Sequence, residues 1–115
     1  MVTPSIGAVV LVPFPFSDLS NSKLRPAFIV AEAGKNDWVC VQITSNPYSD
    51  HAAIEVKDSD FKTGSLRRIS YARPGKLFTA SRMIFKREVG ILKGRKVDEI
   101  KSSIIEIIKA SNTVF

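Results

Sequence analysis

Hydrophobic residues in the first half of the chain come in short runs bounded by turn-forming residues, a pattern typical of β-strands. Gly7–Phe14 is rich in β-branched residues and predicts a first strand. The density of Ser, Asp and Asn over Pro15–Leu24 predicts an exposed loop. Arg25–Ala33 predicts a second strand with a proline near its start, where a strand tolerates one. Gly34–Asp37 predicts a tight turn, so the second and third strands should form a hairpin.

The predicted third strand, Trp38–Ser45, alternates between two faces of different character. One face is uniformly apolar and predicts a stripe of core residues. The other begins apolar at Trp38 and becomes polar, so we expect its first end to be covered and its second to open onto solvent or a site. The apolar end is a candidate docking place for a helix. The uniformly apolar face consists of Val39, Val41 and Ile43, and the mixed face of Trp38, Cys40, Gln42 and Thr44.

The rest of the chain predicts further short strands and then one helix. From Val97 to Ile108, apolar residues recur at steps of three and four, which predicts an amphipathic helix over Arg95–Ala110. Many short strands followed by a terminal helix favour a mainly β fold, although alternation alone does not choose among small barrels. The polar face of this helix consists of Lys96, Glu99, Lys101 and Glu106. The other predicted segments are a loop at Asn46–His51, a strand at Ala53–Val56, a connection at Asp58–Gly64, extended segments at Ser65–Ser70 and Leu77–Ala80 separated by a break at Arg73–Gly75, and a strand at Glu88–Leu92.

Length and composition are those of one globular domain, which we expect to span residues 1–115. No apolar run approaches the roughly 20 residues of a membrane span, and the first apolar stretch lacks the features of a signal peptide. Cys40 is the only cysteine and lies in an apolar run, so we expect a small buried side chain rather than a reactive thiol. A reducing cytoplasm fits this best.

Charge is divided unevenly along the chain. Residues 1–61 carry a net charge of −3 and residues 62–115 a net charge of +9, within a total of +6. Such an excess favours a polyanion or an acidic protein as the partner. A solubilising surface explains the charge equally well, so charge alone does not decide between them.

Five motifs follow one another along nearly the whole chain: GAVVLVPFPFSD at 7–18, KLRPAFIV at 23–30, QITS at 42–45, RPGKLFT at 73–79 and VGIL at 89–92. Together they resemble the MazF/PemK family of toxins from type II toxin–antitoxin systems, in its PemK-like branch. The resemblance implies a small SH3-like barrel with a C-terminal α-helix, assembled into a homodimer. It also implies sequence-specific, metal-independent cleavage of single-stranded RNA, with a small acidic antitoxin that blocks the RNA groove.

Cleavage of RNA without a metal needs a base, an acid and groups that stabilise charge on the reacting phosphate. Arg25 is the first candidate, because its guanidinium can hold a phosphate bidentately and Pro26 favours an extended backbone before it. Thr44 is the second, with a hydroxyl that can contact the same phosphate. Both match catalytic residues of the family, although a surface arginine and an ordinary strand threonine are the competing interpretations.

Further residues are candidates for binding RNA, and one of them, Asp18, is also a possible base. They are Asp18 and Ser20 in the first loop, Gln42 and Ser45 around the third strand, and Arg73 and Lys76 near the late proline. Structural turns and solvated charges are the competing interpretation for these positions.

The sequence departs from the family at one pair of positions. Some members place an arginine and an aspartate, acting as acid and base, where this chain has Ser70 and Ala72. The chain therefore depends on Arg25 and Thr44, or it is a weak or inactive member. His51 is the only histidine, and its polar neighbours indicate an exposed loop.

Other classes of enzyme find little support. No cluster with metal-ligand spacing, phosphate-binding glycine loop or nucleophile elbow is present, so we expect neither a metal nor a cofactor. Two non-catalytic alternatives remain open: a toxin of the same fold that poisons a topoisomerase, and a basic module that binds nucleic acid or protein without cutting.

Overall fold

The computed structural model describes residues 2–15 and 22–110, which form seven strands, two 3₁₀ turns and one helix. The loop predicted between the first two strands falls mostly outside these ranges. The strands are β1 (Ala8–Pro15), β2 (Ser22–Gly34), β3 (Asp37–Thr44), β4 (Ile54–Val56), β5 (Phe61–Gly64), β6 (Ser70–Ser81) and β7 (Arg87–Leu92); the 3₁₀ turns are Asp58–Asp60 and Arg82–Ile84, and the helix is α1 (Gly94–Ala110).

All seven strands join one antiparallel sheet in the order β4-β6-β3-β2-β1-β7-β5. The sheet curls into a half-barrel, and α1 follows the last strand. The predicted mainly β fold with a C-terminal helix is therefore confirmed. So is the hairpin of β2 and β3, whose turn holds Asn36 at a φ of +61°.

The central strands bury both of their faces. Phe28, Val41 and Ile43 belong to a core cluster that also contains Ile100 of α1. Cys40 belongs to a second cluster on the other face, closed by Phe85 and flanked by Trp38. The helix therefore packs on the uniformly apolar face of β3, and the expected docking at the Trp38 end was wrong. The physical reason is that the segment around Phe85 already covers that end.

Two parts of the second half differ from the prediction. Residues 58–64, expected to be a plain connection, contain a 3₁₀ turn and β5, which pairs with β7. Only Phe61 of β5 is buried, which leaves no alternating pattern to read. Gly64 lies so close to β7 that a Cβ there would come within 2.1 Å of the Val89 carbonyl oxygen. The predicted extended segment at Ser65–Ser70 is mostly loop, and β6 runs unbroken through the expected break at Arg73–Gly75.

The polar face predicted for the helix contains one buried residue. Lys96 is 7% exposed, and its Nζ donates to the Glu55 carbonyl oxygen at 3.1 Å and to Glu99 Oε1 at 2.7 Å. It also lies 3.8 Å from the carboxylate of the buried Asp60, which accepts from Arg95 at 3.1 Å. A buried lysine is normally paired with acceptors in this way. These contacts fix the start of α1 to β4 and to the 3₁₀ turn.

Cys40 is fully buried, as expected for a packing residue. Burial raises the pKa of its thiol to about 12, because a thiolate would lose its hydration there. Within the described ranges, no helix is both long and apolar enough to cross a membrane.

Candidate functional site

Strand register brings three of the predicted site residues to one face of the sheet. Gln42 on β3 pairs with Ala27 on β2 and with Arg73 on β6. Paired residues share a face, and so do residues two apart on one strand. Arg25, two residues before Ala27, therefore lies on the same face as Gln42 and Arg73. A face that is apolar at Cys40 thus becomes polar at Gln42, as the alternation of β3 predicted.

Arg25 and Thr44 lie at the open end of this face. The ladder between β2 and β3 begins at Ala27 and Gln42, and Arg25 and Thr44 are the next residues beyond that pair on the same face. Both side chains are half-buried. The Thr44 hydroxyl accepts from the Asn46 N–H at 3.1 Å and lies 3.1 Å from the Asn46 carbonyl oxygen. The hydroxyl is therefore fixed by the turn that follows β3, in which Ser45 is exposed.

Arg73 is held by a carboxylate that the sequence did not single out. Its Nε donates to Asp50 Oδ2 at 2.8 Å, and the two side chains are only 19% and 17% exposed. The hydrogen bond from Arg73 holds the pKa of Asp50 below its usual range, with the Ala52 N–H and the charges of Arg73 and His51 adding to the effect against burial. Asp50 is therefore an ionised partner that orients the guanidinium.

A cavity of about 440 Å³ opens beside this pair, lined by Tyr48, Ser49, Asp50, His51, Arg73, Gly75 and Lys76. His51 is exposed, as its neighbours indicated, and the fold places it beside Arg73. The cavity thus combines cations with hydroxyl groups and a histidine, a composition suited to a phosphate-bearing ligand.

A bulge in β6 presents Lys76. Gln42 pairs with Arg73 while the preceding Val41 pairs with Leu77, so residues 74–76 stand outside the ladder. Lys76 also lines a second cavity of about 250 Å³, with Phe14, Gln42, Leu77 and Phe78. The rings of Phe14 and Phe78 meet edge to face with centroids 5.1 Å apart. Aromatic rings beside an amide can stack on a nucleobase and hydrogen-bond to it.

Five predicted site residues thus gather around one polar face: Arg25, Gln42, Thr44, Arg73 and Lys76. Asp18 and Ser20 lie outside the described residues. Asp50, Phe14 and Phe78 were not among the predicted residues. Asp50 stands in a turn-rich loop 23 residues before its partner, and no local pattern could have joined them.

The two positions that depart from the family face away from this site. Ala72 is fully buried and pairs with Ile43 and Ile54, while Ser70 is 2% exposed. Alternation directs Tyr71 and Arg73 to the polar face instead, and Tyr71 pairs with Thr44. In the described part of the chain, no three His, Cys, Asp or Glu side chains form a group that could hold a metal ion.

A curled antiparallel sheet with one C-terminal helix is the fold of several solved toxins. An endoribonuclease from a mycobacterial species, in complex with its cognate antitoxin, has a TM-score of 0.71 at 16% identity, with 93% of this chain and 96% of that chain covered. The MazE–MazF structure from Deinococcus radiodurans has a TM-score of 0.74 at 12% identity, with 96% and 100% covered. The toxin MazF-mt6 of Mycobacterium tuberculosis has a TM-score of 0.64 at 13% identity, with 87% and 96% covered.

The fold is therefore that of the MazF toxins. Residues 5–108 match the family model of PemK-like, MazF-like toxins of type II toxin–antitoxin systems, and the chain belongs to this family. The family predicted from the ordered motifs is confirmed. A comparison with curated proteins finds no match.

Proposed function

We propose that the protein is a metal-independent, sequence-specific endoribonuclease toxin that cleaves single-stranded RNA through its ribose 2′-hydroxyl. The observation that carries this proposal is the position of Arg25 and Thr44, each two residues beyond the last β2–β3 pair and on the same polar face of a toxin-family fold. The solved neighbours that are named as endoribonucleases support the same activity.

The reaction is an in-line displacement at phosphorus. The 2′-oxygen loses its proton and bonds to the adjacent phosphorus, and the bond to the 5′-oxygen breaks. The products are a 2′,3′-cyclic phosphate and a 5′-hydroxyl group. In this proposal the Arg25 guanidinium binds the non-bridging oxygens, and the Thr44 hydroxyl donates to the charge that develops on them. Neither Ser70 nor Ala72 carries an acidic or basic group, so other groups take the proton from the 2′-oxygen and supply one to the 5′-oxygen, and His51 lines the adjoining cavity.

The flanking nucleotides lie across the two cavities joined by Lys76 in this proposal. Arg73 and Lys76 hold backbone phosphates, while Gln42 and the exposed Ser45 hydrogen-bond to nucleotides at the end of β3. Asp18 and Ser20, from the loop between β1 and β2, would border the same groove. Each of these roles uses polar groups that the sequence places on, or next to, one face.

The biological setting follows from the family. We infer a single toxin domain over residues 1–115 that forms a homodimer in the cytoplasm. A small acidic antitoxin would neutralise it by covering the cationic face. The MazE–MazF structure and the mycobacterial endoribonuclease with its cognate antitoxin support this partner.

The test is cleavage of a long single-stranded RNA by purified protein in EDTA. We expect discrete fragments with 2′,3′-cyclic phosphate ends, because no step uses a metal. Arg25→Ala should reduce the rate by about 10²–10³-fold, the usual cost of removing one charge-stabilising donor. Arg87→Ala, which removes an exposed arginine from β7, is the matched control and should cleave normally.

Each contrary result has a defined meaning. Equal cleavage by the Arg25→Ala variant would remove Arg25 from the mechanism. Intact RNA at a large excess of folded protein would instead favour a module that binds without cutting, for which the buried Ser70 and Ala72 are the specific observation.

A further inference from the structure

A further basic cavity lies at the opposite end of β4 from Arg73. It has a volume of about 360 Å³ and is formed by the residues that follow β4 and those that precede β6. We call it the distal cavity, defined by Lys57, Asp58, Ser59, Arg67, Arg68 and Ile69. Its size lies within the range of small-ligand pockets.

The distal cavity carries uncompensated positive charge. Three cations and one carboxylate line it. Among residues 2–15 and 22–110, none of the ion pairs involves Arg67 or Arg68, and Lys57 has only a long, exposed contact with Glu55 at 3.8 Å. Arg73, by contrast, is closely paired with a carboxylate. Adjacent arginines without a carboxylate partner favour an anion as their ligand.

The backbone of the distal cavity is held in a fixed shape. Arg67 has a φ of +63°, a left-handed conformation that residues with a Cβ rarely adopt. Its N–H donates to the Ser65 hydroxyl oxygen at 2.8 Å, and that hydroxyl in turn donates to the Asp58 carboxylate. The only carboxylate of the cavity is thus hydrogen-bonded to a serine, while the loop that carries both arginines is tied to the 3₁₀ turn.

The distal cavity and the Arg73 cavity lie at opposite ends of β4. Residues 49–51 of the Arg73 cavity precede β4, and residues 57–59 of the distal cavity follow it. Arg68 and Arg73 are five positions apart, so their backbones are at most about 18 Å apart at a full extension of about 3.6 Å per residue. Two cationic cavities at this separation suit a ligand whose negative charges repeat along its length.

We propose that the distal cavity binds a backbone phosphate of the same RNA strand, away from the phosphate that is cleaved. The inference rests on the proposed endoribonuclease function and extends its binding site along β4. Arginine forks match the oxygens of a phosphate, and Ile69, which is 52% exposed beside them, offers an apolar contact for a ribose or a base edge. An acidic protein segment is the competing ligand.

The experiment compares binding of a single-stranded RNA at several salt concentrations by fluorescence anisotropy. Its riboses carry 2′-O-methyl groups, which block the attacking oxygen and prevent cleavage. The variant combines Arg67→Gly, which tolerates the positive φ, with Arg68→Ala. Lys35→Ala combined with Lys109→Ala removes equal charge from exposed positions outside the cavities. Circular dichroism and thermal melting verify that each variant is folded.

We expect the distal variant to bind RNA about tenfold more weakly or worse at low salt, since each arginine loses a charged hydrogen bond. The slope of log affinity against log salt should become shallower by about 1.4, which is about 0.7 for each lost phosphate contact. The lysine control should keep the slope of the unmodified protein. Cleavage of unmodified RNA should persist in the distal variant, because Arg25 and Thr44 are intact.

Two results would overturn the proposal while leaving the nuclease function standing. One is an unchanged salt slope in the distal variant alongside normal RNA cleavage. The other is unchanged RNA binding together with lost binding of polyglutamate, which would assign the cavity to an acidic protein segment. A folded protein that neither binds nor cleaves RNA would overturn both proposals.

Discussion

At the scale of single residues, the Thr44 hydroxyl serves two purposes. It caps the turn after β3 through Asn46, and it lies on the same face as Arg25, each residue standing two positions beyond the last pair of β2 and β3. The Asn46 N–H fixes the position of the hydroxyl oxygen, while the hydroxyl proton, which here donates to the Asn46 carbonyl oxygen, must turn towards a phosphate when one binds. A serine would keep that oxygen, whereas a valine of similar shape would remove it.

We therefore expect Thr44→Val to lower the rate of RNA cleavage by about 10²-fold, the low end of the cost of one lost donor. Thr44→Ser should keep most of the rate, because the oxygen remains. Initial cleavage rates in EDTA measure the effect, and melting temperatures separate it from any loosening of the turn. A Thr44→Val variant that cleaves as fast as Thr44→Ser would show that the hydroxyl takes no part in the reaction.

Cys40, by contrast, carries a thiol that burial makes unreactive. Burial raises its thiol pKa to about 12, and only the thiolate is nucleophilic. We expect no alkylation by iodoacetamide at pH 8 in the native protein and complete alkylation in guanidinium chloride, followed by mass spectrometry. Rapid native labelling would mean that the cluster around Cys40 opens readily.

At the scale of elements, the start of α1 depends on one buried carboxylate. Asp60 accepts from Arg95 and from the Lys57 N–H, and lies near Lys96. Burial raises its pKa, but these hydrogen bonds and nearby positive charges outweigh that effect and hold the pKa below its usual range. A lowered native pKa means that the contribution to stability is present above the unfolded pKa of about 3.9 and is lost as the pH falls below it.

Asp60→Asn should accordingly reduce the free energy of unfolding by about 2 kcal/mol at pH 7, the order of a lost charged hydrogen bond. The difference from the unmodified protein should shrink as the pH falls from 4 towards 2, where the native carboxyl also takes up a proton. Urea unfolding across this range measures both. Asp98→Asn, at an exposed position of α1, is the control. A deficit for Asp60→Asn that stays constant with pH would contradict the assigned ionisation.

Elements with a strong periodicity of apolar residues were predictable from the sequence, and elements that depend on pairing with another strand were not. β1, β2, β3 and α1 each carry a repeated apolar pattern, and their observed bounds lie close to the predicted ones. β5 has one buried residue and exists because it pairs with β7. The proline in β6 indicated a break, yet the strand passes it by looping residues 74–76 out of the ladder.

At the scale of the whole molecule, the uneven charge of the sequence is partly cancelled in space. Carboxylates of the acidic first half pair with cations of the basic second half: Asp50 with Arg73, and Asp60 with Arg95 and Lys96. Of the cations outside these pairs, Lys76 lines the cavity at one end of β4, and Arg67 and Arg68 line the cavity at the other. Net charge read from the sequence could not distinguish cations that pair with a carboxylate in the fold from those that do not.

The candidate site was predictable where family motifs marked single residues, as at Arg25 and Thr44. The residue that orients Arg73 was not predictable, since only the fold brings Asp50 to Arg73. The distal cavity was equally hidden, because it joins segments on either side of β5 and depends on the left-handed backbone of Arg67. Long-range pairing and loop geometry are the parts of a site that local patterns do not record.

The bulge of β6 has a consequence for how such toxins diversify. Residues 74–76 stand outside the hydrogen-bonded ladder, while Arg73 and Leu77 remain in register with adjacent residues of β3. The bulge can therefore gain or lose residues without shifting any pair on either side. Pro74 is fully buried, whereas Gly75 and Lys76 are exposed, and changes at these two would alter the wall between the two cavities that share Lys76. A library of variants at the two exposed positions would therefore change the groups that a ligand meets between the cavities, while the buried proline and the paired residues of β3 and β6 stay in place.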